Sequence, residues 1–124
     1  MRLLLDTHVL LWWATGAALS EPAAEAIAAP ENEVFVSAAS IWEAEIKAAA
    51  GKLDIGLDLA AKSVERGFEE LPVRFEHATT AARLPPHHPD PFDRMLLAQA
   101  LAHGLVIITR DSAFRSYEVE LIRA

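Results

Sequence analysis

The chain has 124 residues, of which 52% are hydrophobic, and it contains no cysteine. This length can bury a core, whereas disulfides and thiolate zinc sites are excluded. The net charge of −7 repels polyanions, so a nucleic-acid ligand needs a local basic patch or bound cations; simple solubility or a basic partner fits equally. No apolar run approaches the roughly 18 residues of a membrane span, and Asp6 and His8 come too early for a secretory signal. We expect one cytoplasmic domain over residues 1–124, without membrane contact.

Strand-like and helix-like segments alternate along the chain. Short runs of β-branched, aromatic and other apolar residues predict strands, and longer runs bounded by capping residues predict helices. In chain order we predict strand Arg2–Leu5, helix Val9–Ala14, helix Ala23–Ala29, strand Glu33–Val36, helix Ser37–Ala50, helix Asp58–Arg66, strand Phe68–Val73, helix Glu76–Leu84, helix Pro91–His103, strand Leu105–Thr109 and strand Val119–Ile122.

Capping residues and prolines define several boundaries. Ser20 marks the start of the second helix, and Gly51 and Gly104 are predicted as the C-caps of the helices they follow. The stiff segment Pro85–Pro89 cannot be helical. Strands connected by helices form parallel sheets that are covered on both faces. The predicted fold class is therefore α/β, a three-layer α/β/α sandwich around a parallel sheet of four to five strands.

The most informative residues are acids at the ends of apolar runs. Asp6 ends the first predicted strand, and Asp111 follows the most strand-like run in the chain. Glu43 lies in an apolar part of the helix after the second strand, and Asp90 and Asp93 open the helix that precedes Gly104. Ligands of parallel sheets bind beyond the carboxyl ends of the strands. We therefore expect these acids, which are distant in sequence, to converge there.

Each acid also has a purely structural explanation. Asp6, Asp90 and Asp111 stand where helix N-caps are expected, and the helix dipole favours Asp93 in a first turn. Glu43 precedes a lysine by four residues, as in a surface ion pair. Capping explains why one acid is tolerated, but not why acids follow strand ends throughout the chain. Clustered carboxylates raise one another's pKa values or require cations. Mg²⁺ and Mn²⁺ suit carboxylate oxygens, which favours metal-assisted phosphodiester hydrolysis.

Four segments together resemble the PIN-domain family, and specifically the VapC-type toxins of bacterial and archaeal toxin–antitoxin pairs. They are Leu4–His8, Ser37–Glu43, Asp90–Arg94 and Thr109–Asp111, in the family's order and spread over nearly the whole chain. The resemblance implies an α/β/α sandwich and a Mg²⁺- or Mn²⁺-dependent endoribonuclease. It also implies RNA as the substrate, a cognate antitoxin protein as a partner, and a homodimer.

The resemblance also assigns roles to individual acids. Carried over by motif, Asp6, Glu43, Asp93 and Asp111 are the catalytic, metal-binding residues. Asp90 is interpreted as a helix cap or as a support for the metal-binding acids. An antitoxin of this class typically inserts a segment near the acidic pocket, often with a basic side chain, and the net charge of −7 is compatible with that.

Polar residues beside the acids are further candidates. Thr109 is expected to orient a carboxylate or a water, and Thr7 adjoins the first acid. Arg94 and Arg110 either hold RNA phosphates or pair with the acids to relieve their repulsion. Other cations near the acids in sequence are Lys47 and Arg115.

The histidines and tryptophans are interpreted mainly as structural. Adjacent His87 and His88 lack zinc-like ligand spacing, so a zinc site is not expected there, and His8 is expected on a helix surface. Base stacking is less favoured than a role in the core or a dimer interface for the tryptophans Trp12, Trp13 and Trp42.

Two other functions compete with the ribonuclease. A different Mg²⁺-dependent phosphate-transfer enzyme is disfavoured because His8 stands where a haloacid-dehalogenase-like phosphatase has an acid, and no lysine follows Lys62 as a receiver domain requires. A catalytically silent PIN-fold scaffold that binds a partner protein or RNA is the second alternative. Because such scaffolds usually lose one or more of the four acids, their presence favours the enzyme.

Overall fold

The computed structural model of the chain describes residues 1–54, 56 and 58–124. The strands are β1 (Arg2–Leu5), β2 (Glu33–Ser37), β3 (Glu69–Leu71), β4 (Val106–Thr109) and β5 (Leu121–Arg123). The helices are α1 (Thr7–Thr15), α2 (Glu21–Ala28), α3 (Ala38–Ala49), α4 (Leu59–Arg66), α5 (Phe75–Arg83) and α6 (Pro91–His103), and a short 3₁₀ helix covers Ser112–Ser116. Within the described part of the chain, no helix is long and apolar enough to cross a bilayer.

The five strands form one parallel sheet in the order β3-β2-β1-β4-β5. At its centre, Leu4 of β1 aligns with Phe35 of β2 on one side and with Ile107 of β4 on the other. The chain leaves β1 towards β2 and later returns to β4 on the opposite side. The carboxyl ends of β1 and β4 therefore flank the point where the strand order reverses, which is where open α/β sheets bind ligands.

Alternating side chains of β1 face two separate hydrophobic clusters, as the period of a strand requires. Leu3 and Leu5 are buried with residues of α1 and α2, whereas Leu4 is buried on the other face with residues of α6. Helices thus cover both faces of the sheet. The predicted α/β/α sandwich with a parallel sheet is confirmed, and the sheet has five strands.

Several predicted boundaries differ from the observed ones for local reasons. Helix α1 begins at Thr7, earlier than predicted, because the side chain of Asp6 caps it. The C-cap of α3 is Ala50, so the prediction of Gly51 as the C-cap was one residue late, although Gly51 follows with φ +71°. Strand β3 is shorter than predicted because its pairing with β2 stops at Leu71, opposite the last residue of β2.

Candidate metal centre

Asp6 reaches the carboxyl edge of the sheet directly from β1. Its backbone N–H donates to the carbonyl of Ile108 at 3.2 Å, so the residue still follows β4. The Oδ1 atom accepts from the N–H of Val9 at 2.8 Å and caps α1. With only 4% of its surface exposed, Asp6 is both a helix cap and a buried acid at the switch point of the sheet.

Asp111 arrives at the same edge from the end of β4. Its N–H donates to Oγ1 of Thr109 at 3.0 Å, and its Oδ1 accepts from the N–H of Ala113 at 2.9 Å. This confirms that Asp111 caps the short 3₁₀ helix after β4. Thr109 itself is buried and holds the backbone of the turn that presents Asp111.

Asp93 and Asp90 occupy the N-terminus of α6, which returns to this edge because it precedes β4. Oδ1 of Asp90 accepts from the N–H groups of Phe92 at 2.8 Å and of Asp93 at 3.3 Å. Asp90 is therefore the N-cap, with proline at the first helical position, as the sequence predicts. The cap leaves Asp93 in the first turn of the helix, where the dipole favours a negative charge.

Glu43 lies in the second turn of α3 and is only 5% exposed. Its Oε2 accepts from Nζ of Lys47 at 2.8 Å, so the predicted i,i+4 ion pair is present, and this hydrogen bond raises the pKa of Lys47. Its Oε1, in contrast, is buried and has no hydrogen-bond partner among the described residues. A buried carboxylate oxygen without a donor is costly unless a cation or water binds it.

The pKa of Asp93 is shifted by acids from other parts of the chain, so these acids belong to one site. Burial and the negative charge of Asp90 raise the pKa of Asp93 to about 7. The charges of Asp6 and Glu43 contribute to this increase, and His88 opposes it. Acids from three different parts of the chain therefore act on Asp93, in agreement with the predicted convergence.

Asp6 and Asp111 differ in how their charges are stabilised. Burial raises the pKa of Asp6, despite its hydrogen bonds with Thr109 and the N–H of Val9, and the charge of Asp111 adds to the increase. Burial also acts to raise the pKa of Asp111, but hydrogen bonds from Ala113 and His88 outweigh it and hold that pKa below its usual value.

His88 is the residue of this site that the sequence interpretation missed. It is 7% exposed, and its Nε2 lies 2.8 Å from Oδ2 of Asp111 and 3.0 Å from Oδ2 of Asp93. Ligand-type atoms of these three residues all lie within 4.8 Å of one another. The sequence offered one indication that His88 belongs to the site, namely its position two residues before Asp90 in a rigid proline-rich loop. Its neighbour His87 is exposed and contacts the ring of Tyr117 edge-on.

The two candidate arginines donate hydrogen bonds to backbone carbonyls and not to the acids of the site. The guanidinium of Arg94 donates to the carbonyls of Ala81, Leu84, Pro85 and His88 at 2.7–3.2 Å. Arg110 donates to the carbonyl of Ala18 at 2.8 Å and lies 4.0 Å from the ring centroid of Trp12. Neither guanidinium has an acid of the site among its hydrogen-bond partners in the described structure. Arg115 is exposed on the short 3₁₀ helix.

The remaining candidates fall into two environments. Thr7 is buried in the first turn of α1, and its hydroxyl oxygen has no partner among the described side chains and backbone groups. His8 is exposed, and Trp12 and Trp13 pack at the margin of the core, as predicted. Trp42 is 63% exposed and meets the ring of Phe92 edge-on, so it is not a core residue.

The donor set suits a hard divalent cation. Four carboxylates meet at one edge of the sheet. One of their oxygens is buried without a hydrogen-bond partner among the described residues, and the pKa of Asp93 is strongly raised. Mg²⁺ and Mn²⁺ favour carboxylate oxygens and retain waters for a phosphate to displace. Lys47 neutralises part of the charge at Glu43, which leaves the other acids in excess.

Comparisons with known proteins identify the family. The sequence profile of the PIN domain matches residues 3–120. The chain is 31% identical to the protein named ribonuclease VapC22 of Mycobacterium tuberculosis over 118 residues, 92% of this chain and 90% of that protein.

Solved structures agree in fold. VapBC2 of Rickettsia felis, bound to a promoter DNA fragment, superposes with a TM-score of 0.78 at 13% identity, covering 100% of this chain and 99% of that one. The toxin–antitoxin complex VapBC-5 of M. tuberculosis superposes with a TM-score of 0.65 at 25% identity, covering 99% of this chain and 98% of that one. This chain therefore belongs to the PIN-domain family and is similar to its VapC-type members.

Proposed function

We propose that this protein is a metal-dependent endoribonuclease that acts as the toxin of a toxin–antitoxin pair. The observation that carries the proposal is the convergence of Asp6, Glu43, Asp93 and Asp111 at the carboxyl edge of the sheet. Within the part of the chain that the structure describes, the buried Oε1 of Glu43 has no hydrogen-bond partner. The relative at 31% identity is named a ribonuclease, which supports nuclease activity on RNA.

The four acids would hold Mg²⁺ or Mn²⁺. When bound, the ion supplies positive charge for the scissile phosphate and lowers the pKa of water in its shell. The protein's own contribution is to fix the carboxylates before the substrate arrives. Asp6 and Asp111 are fixed by the helix N–H groups that they cap, and Asp93 by the helix that Asp90 caps. Such pre-organisation avoids reorganisation at the moment of reaction.

The net charge of −7 gives the cation a second role. A phosphate approaching the acids is repelled until cations reverse the local field. Arg94 and Arg110 are engaged with backbone carbonyls, so the structure favours the ion over these arginines as the main attraction for RNA phosphate. Activity should consequently depend steeply on the divalent cation concentration.

A cognate antitoxin is the second partner that we propose. The solved structures of similar fold include complexes named as toxin–antitoxin assemblies. The acid cluster would accept a basic side chain from such a partner, which would compete with the cation for the same carboxylates. We also propose a homodimer, for which the exposed Trp42 is a candidate contact.

The alternative of a silent scaffold makes a different prediction. A scaffold binds its partner without needing all four acids in one arrangement, whereas this chain retains all four and leaves a buried carboxylate oxygen for a ligand. The enzyme is therefore favoured over the scaffold. No separate observation favours another Mg²⁺-dependent phosphate-transfer enzyme.

The test is cleavage of a mixture of tRNA, rRNA and mRNA by the purified, antitoxin-free chain. Reactions contain Mn²⁺, Mg²⁺ or EDTA, and Asp6→Asn and Asp93→Asn are compared with wild type. Asp58→Asn is the matched control, because Asp58 is an exposed helix cap outside the site and asparagine also caps helices.

We expect discrete products with Mn²⁺ or Mg²⁺ that disappear with EDTA. In the two site variants, cleavage should fall by at least about 100-fold, because the charge stabilisation is worth several kcal/mol. Asp58→Asn should cleave like wild type. Equal cleavage by Asp6→Asn and wild type would refute the assignment of the site, and a folded, Mn²⁺-binding wild type without cleavage would favour the scaffold.

A further inference from the structure

We propose that His88 is a positioning residue, which holds Asp93 and Asp111 together by donating its Nε2–H to both carboxylates and does not itself bind the metal. The inference rests on the proposed function, since it concerns how the metal-binding acids are arranged. It follows from the protonation of the two ring nitrogens, from the support of the surrounding loop, and from the chemistry of the two acceptors.

The backbone identifies which ring nitrogen carries the proton. The N–H of Asp90 donates to Nδ1 of His88 at 3.2 Å, so Nδ1 must be unprotonated. A neutral imidazole has one N–H, which then lies on Nε2. Since Nε2 is 2.8 Å from the carboxylate of Asp111 and 3.0 Å from that of Asp93, this one N–H is shared between two acceptors.

The same backbone contact disfavours a metal at Nε2. A neutral histidine that binds metal through Nε2 carries its proton on Nδ1, and usually donates it to a carbonyl or carboxylate. Here Nδ1 of His88 faces another donor, the N–H of Asp90, so metal binding would bring two N–H groups against each other. Asp90 thus has two functions, because its side chain caps α6 and its backbone fixes the tautomer of His88.

Tyr117 fixes the loop that carries His88. The hydroxyl of Tyr117 accepts from the N–H groups of His87 at 3.1 Å and of His88 at 2.9 Å, and donates to the carbonyl of Pro85 at 2.6 Å. All these backbone groups belong to the segment that proline keeps out of a helix. One buried side chain therefore satisfies three polar groups of a loop without regular secondary structure.

Arg94 holds the same loop from the helix side. Its guanidinium donates to four backbone carbonyls, one of them that of His88 itself at 3.2 Å. The ring of His88 also packs against Phe114, with centroids 5.5 Å apart. Contacts to its backbone and to its ring thus hold His88 with its imidazole facing the acids.

The position of His88 offsets the electrostatic repulsion between two carboxylates. Asp93 and Asp111 come from the start of α6 and from the end of β4, and as carboxylates they repel each other. A hydrogen-bond donor between them draws together one oxygen of each carboxylate. Outer partners of metal ligands typically alter metal affinity by about 10- to 100-fold when removed.

The experiment measures Mn²⁺ affinity by isothermal titration for wild type, His88→Gln and His88→Leu. Glutamine carries an amide N–H at a reach similar to that of Nε2, whereas leucine carries none. We expect His88→Gln to bind within about threefold of wild type, because the hydrogen bond is retained. His88→Leu should bind about 10- to 100-fold more weakly. His87→Gln is the matched control, since His87 is the exposed neighbour, and should bind like wild type.

A second measurement does not depend on a variant folding. Long-range ¹H–¹⁵N spectra of histidine-labelled wild type report which ring nitrogen of His88 is protonated, both without metal and with Mg²⁺. We expect the proton on Nε2 in both states. A proton that moves to Nδ1 on adding Mg²⁺ would identify His88 as a ligand and overturn the proposal.

Other outcomes separate this inference from the proposed function. If wild type binds Mn²⁺ and His88→Leu binds it equally well, His88 has no positioning role although the proposed function stands. If glutamine is as damaging as leucine, donation of a hydrogen bond is not what the site requires. A wild type that binds no Mn²⁺ and cleaves no RNA would overturn both proposals.

Discussion

Among the described residues, two clusters contain histidine close to acids, and they differ in which atoms the imidazole contacts. At the carboxyl edge of the sheet, Nε2 of His88 meets the carboxylates of Asp93 and Asp111. Between α5 and α6, Nε2 of His77 meets Nε2 of His103 at 2.8 Å, with Glu76 3.7 Å away and 63% exposed. Both clusters bring three ligand-type atoms within 4.8 Å of one another.

The two clusters differ in their negative charge and in whether their polar atoms have hydrogen-bond partners. Nδ1 of His77 accepts from the N–H of Arg74 at 3.0 Å, so its proton lies on Nε2 and is donated to His103. Burial lowers the pKa of His77, and the charge of the neighbouring His103 lowers it further, so the neutral form of His77 is favoured. Proximity of ligand atoms does not make a cation site by itself. An excess of negative charge and an unsatisfied carboxylate oxygen are also required, and the acid cluster has both.

The largest expected effect is on the stability of the metal-free acid cluster. The pKa of Asp93 is about 7 in the folded state, above the ordinary aspartate value of 3.8, so folding favours the protonated form. As the pH rises from about 4 to 7, the unfolded state loses this proton first and stability falls; above 7 the loss is complete. Asp93→Asn removes that loss. In EDTA at pH 8 it should unfold at a higher temperature than wild type, and near pH 4 the two should agree.

Thermal unfolding across this pH range checks the prediction. Added Mn²⁺ should stabilise wild type more than Asp93→Asn, because only the native state of wild type has the full ligand set. A wild type that is as stable as the variant at pH 8 in EDTA would mean that the acids do not repel one another, and the contrast between the two clusters would fail.

The next effect is on metal affinity. Glu43→Gln should weaken Mn²⁺ binding at least about 100-fold, because losing a charged ligand should exceed the 10- to 100-fold effect of losing an outer partner. Glu45→Gln is the matched control on the same helix, since Glu45 is exposed. Isothermal titration with Mn²⁺ measures the affinities of both variants. His103→Gln should bind Mn²⁺ like wild type, and weakened binding in that variant would show that the α5–α6 cluster also holds the ion.

Arg94→Ala should destabilise the protein by about 1.5–3 kcal/mol, because hydrogen bonds from a charged donor to four carbonyls are lost. Urea unfolding measures the change. Mn²⁺ affinity should fall as well, since the loop presents His88. If Arg94→Ala is as stable as wild type, a structural role is refuted and Arg94 is again a candidate for contacting RNA phosphate.

The smallest effect is expected at the histidine pair. His77→Gln should cost about 1 kcal/mol, the net value of one hydrogen bond. Because the pKa of folded His77 is lowered, the unfolded state takes up a proton more readily below pH 6.5, and wild-type stability falls as the pH decreases through that value. The variant should lack this dependence. Urea unfolding at pH 5 and pH 8 tests it, and an identical pH dependence in both proteins would contradict the lowered pKa of His77.

Local signals in the sequence were sufficient for most of the fold. Asp90 followed by Pro91 predicts the start of α6, and the structure begins that helix at Pro91. Strand β3 was predicted too long, because its end is set by β2, a partner distant in sequence. The helix around Glu43 looks enclosed from its apolar content, yet Trp42 and Ile46 are exposed, so composition did not identify its buried face.

The sequence by itself determined the order of strands and helices, the caps and the acids at the ends of apolar runs, because these depend on neighbouring residues and on periodicity. Only the tertiary structure decided that His88 lies between Asp93 and Asp111 and that Arg94 holds a loop. It also decided that Oε1 of Glu43 has no hydrogen-bond partner among the described residues. These features depend on which individual atoms meet after the chain folds. The positions of the acids at strand ends predict that they share one edge of the sheet, but not which donor or acceptor each side chain contacts.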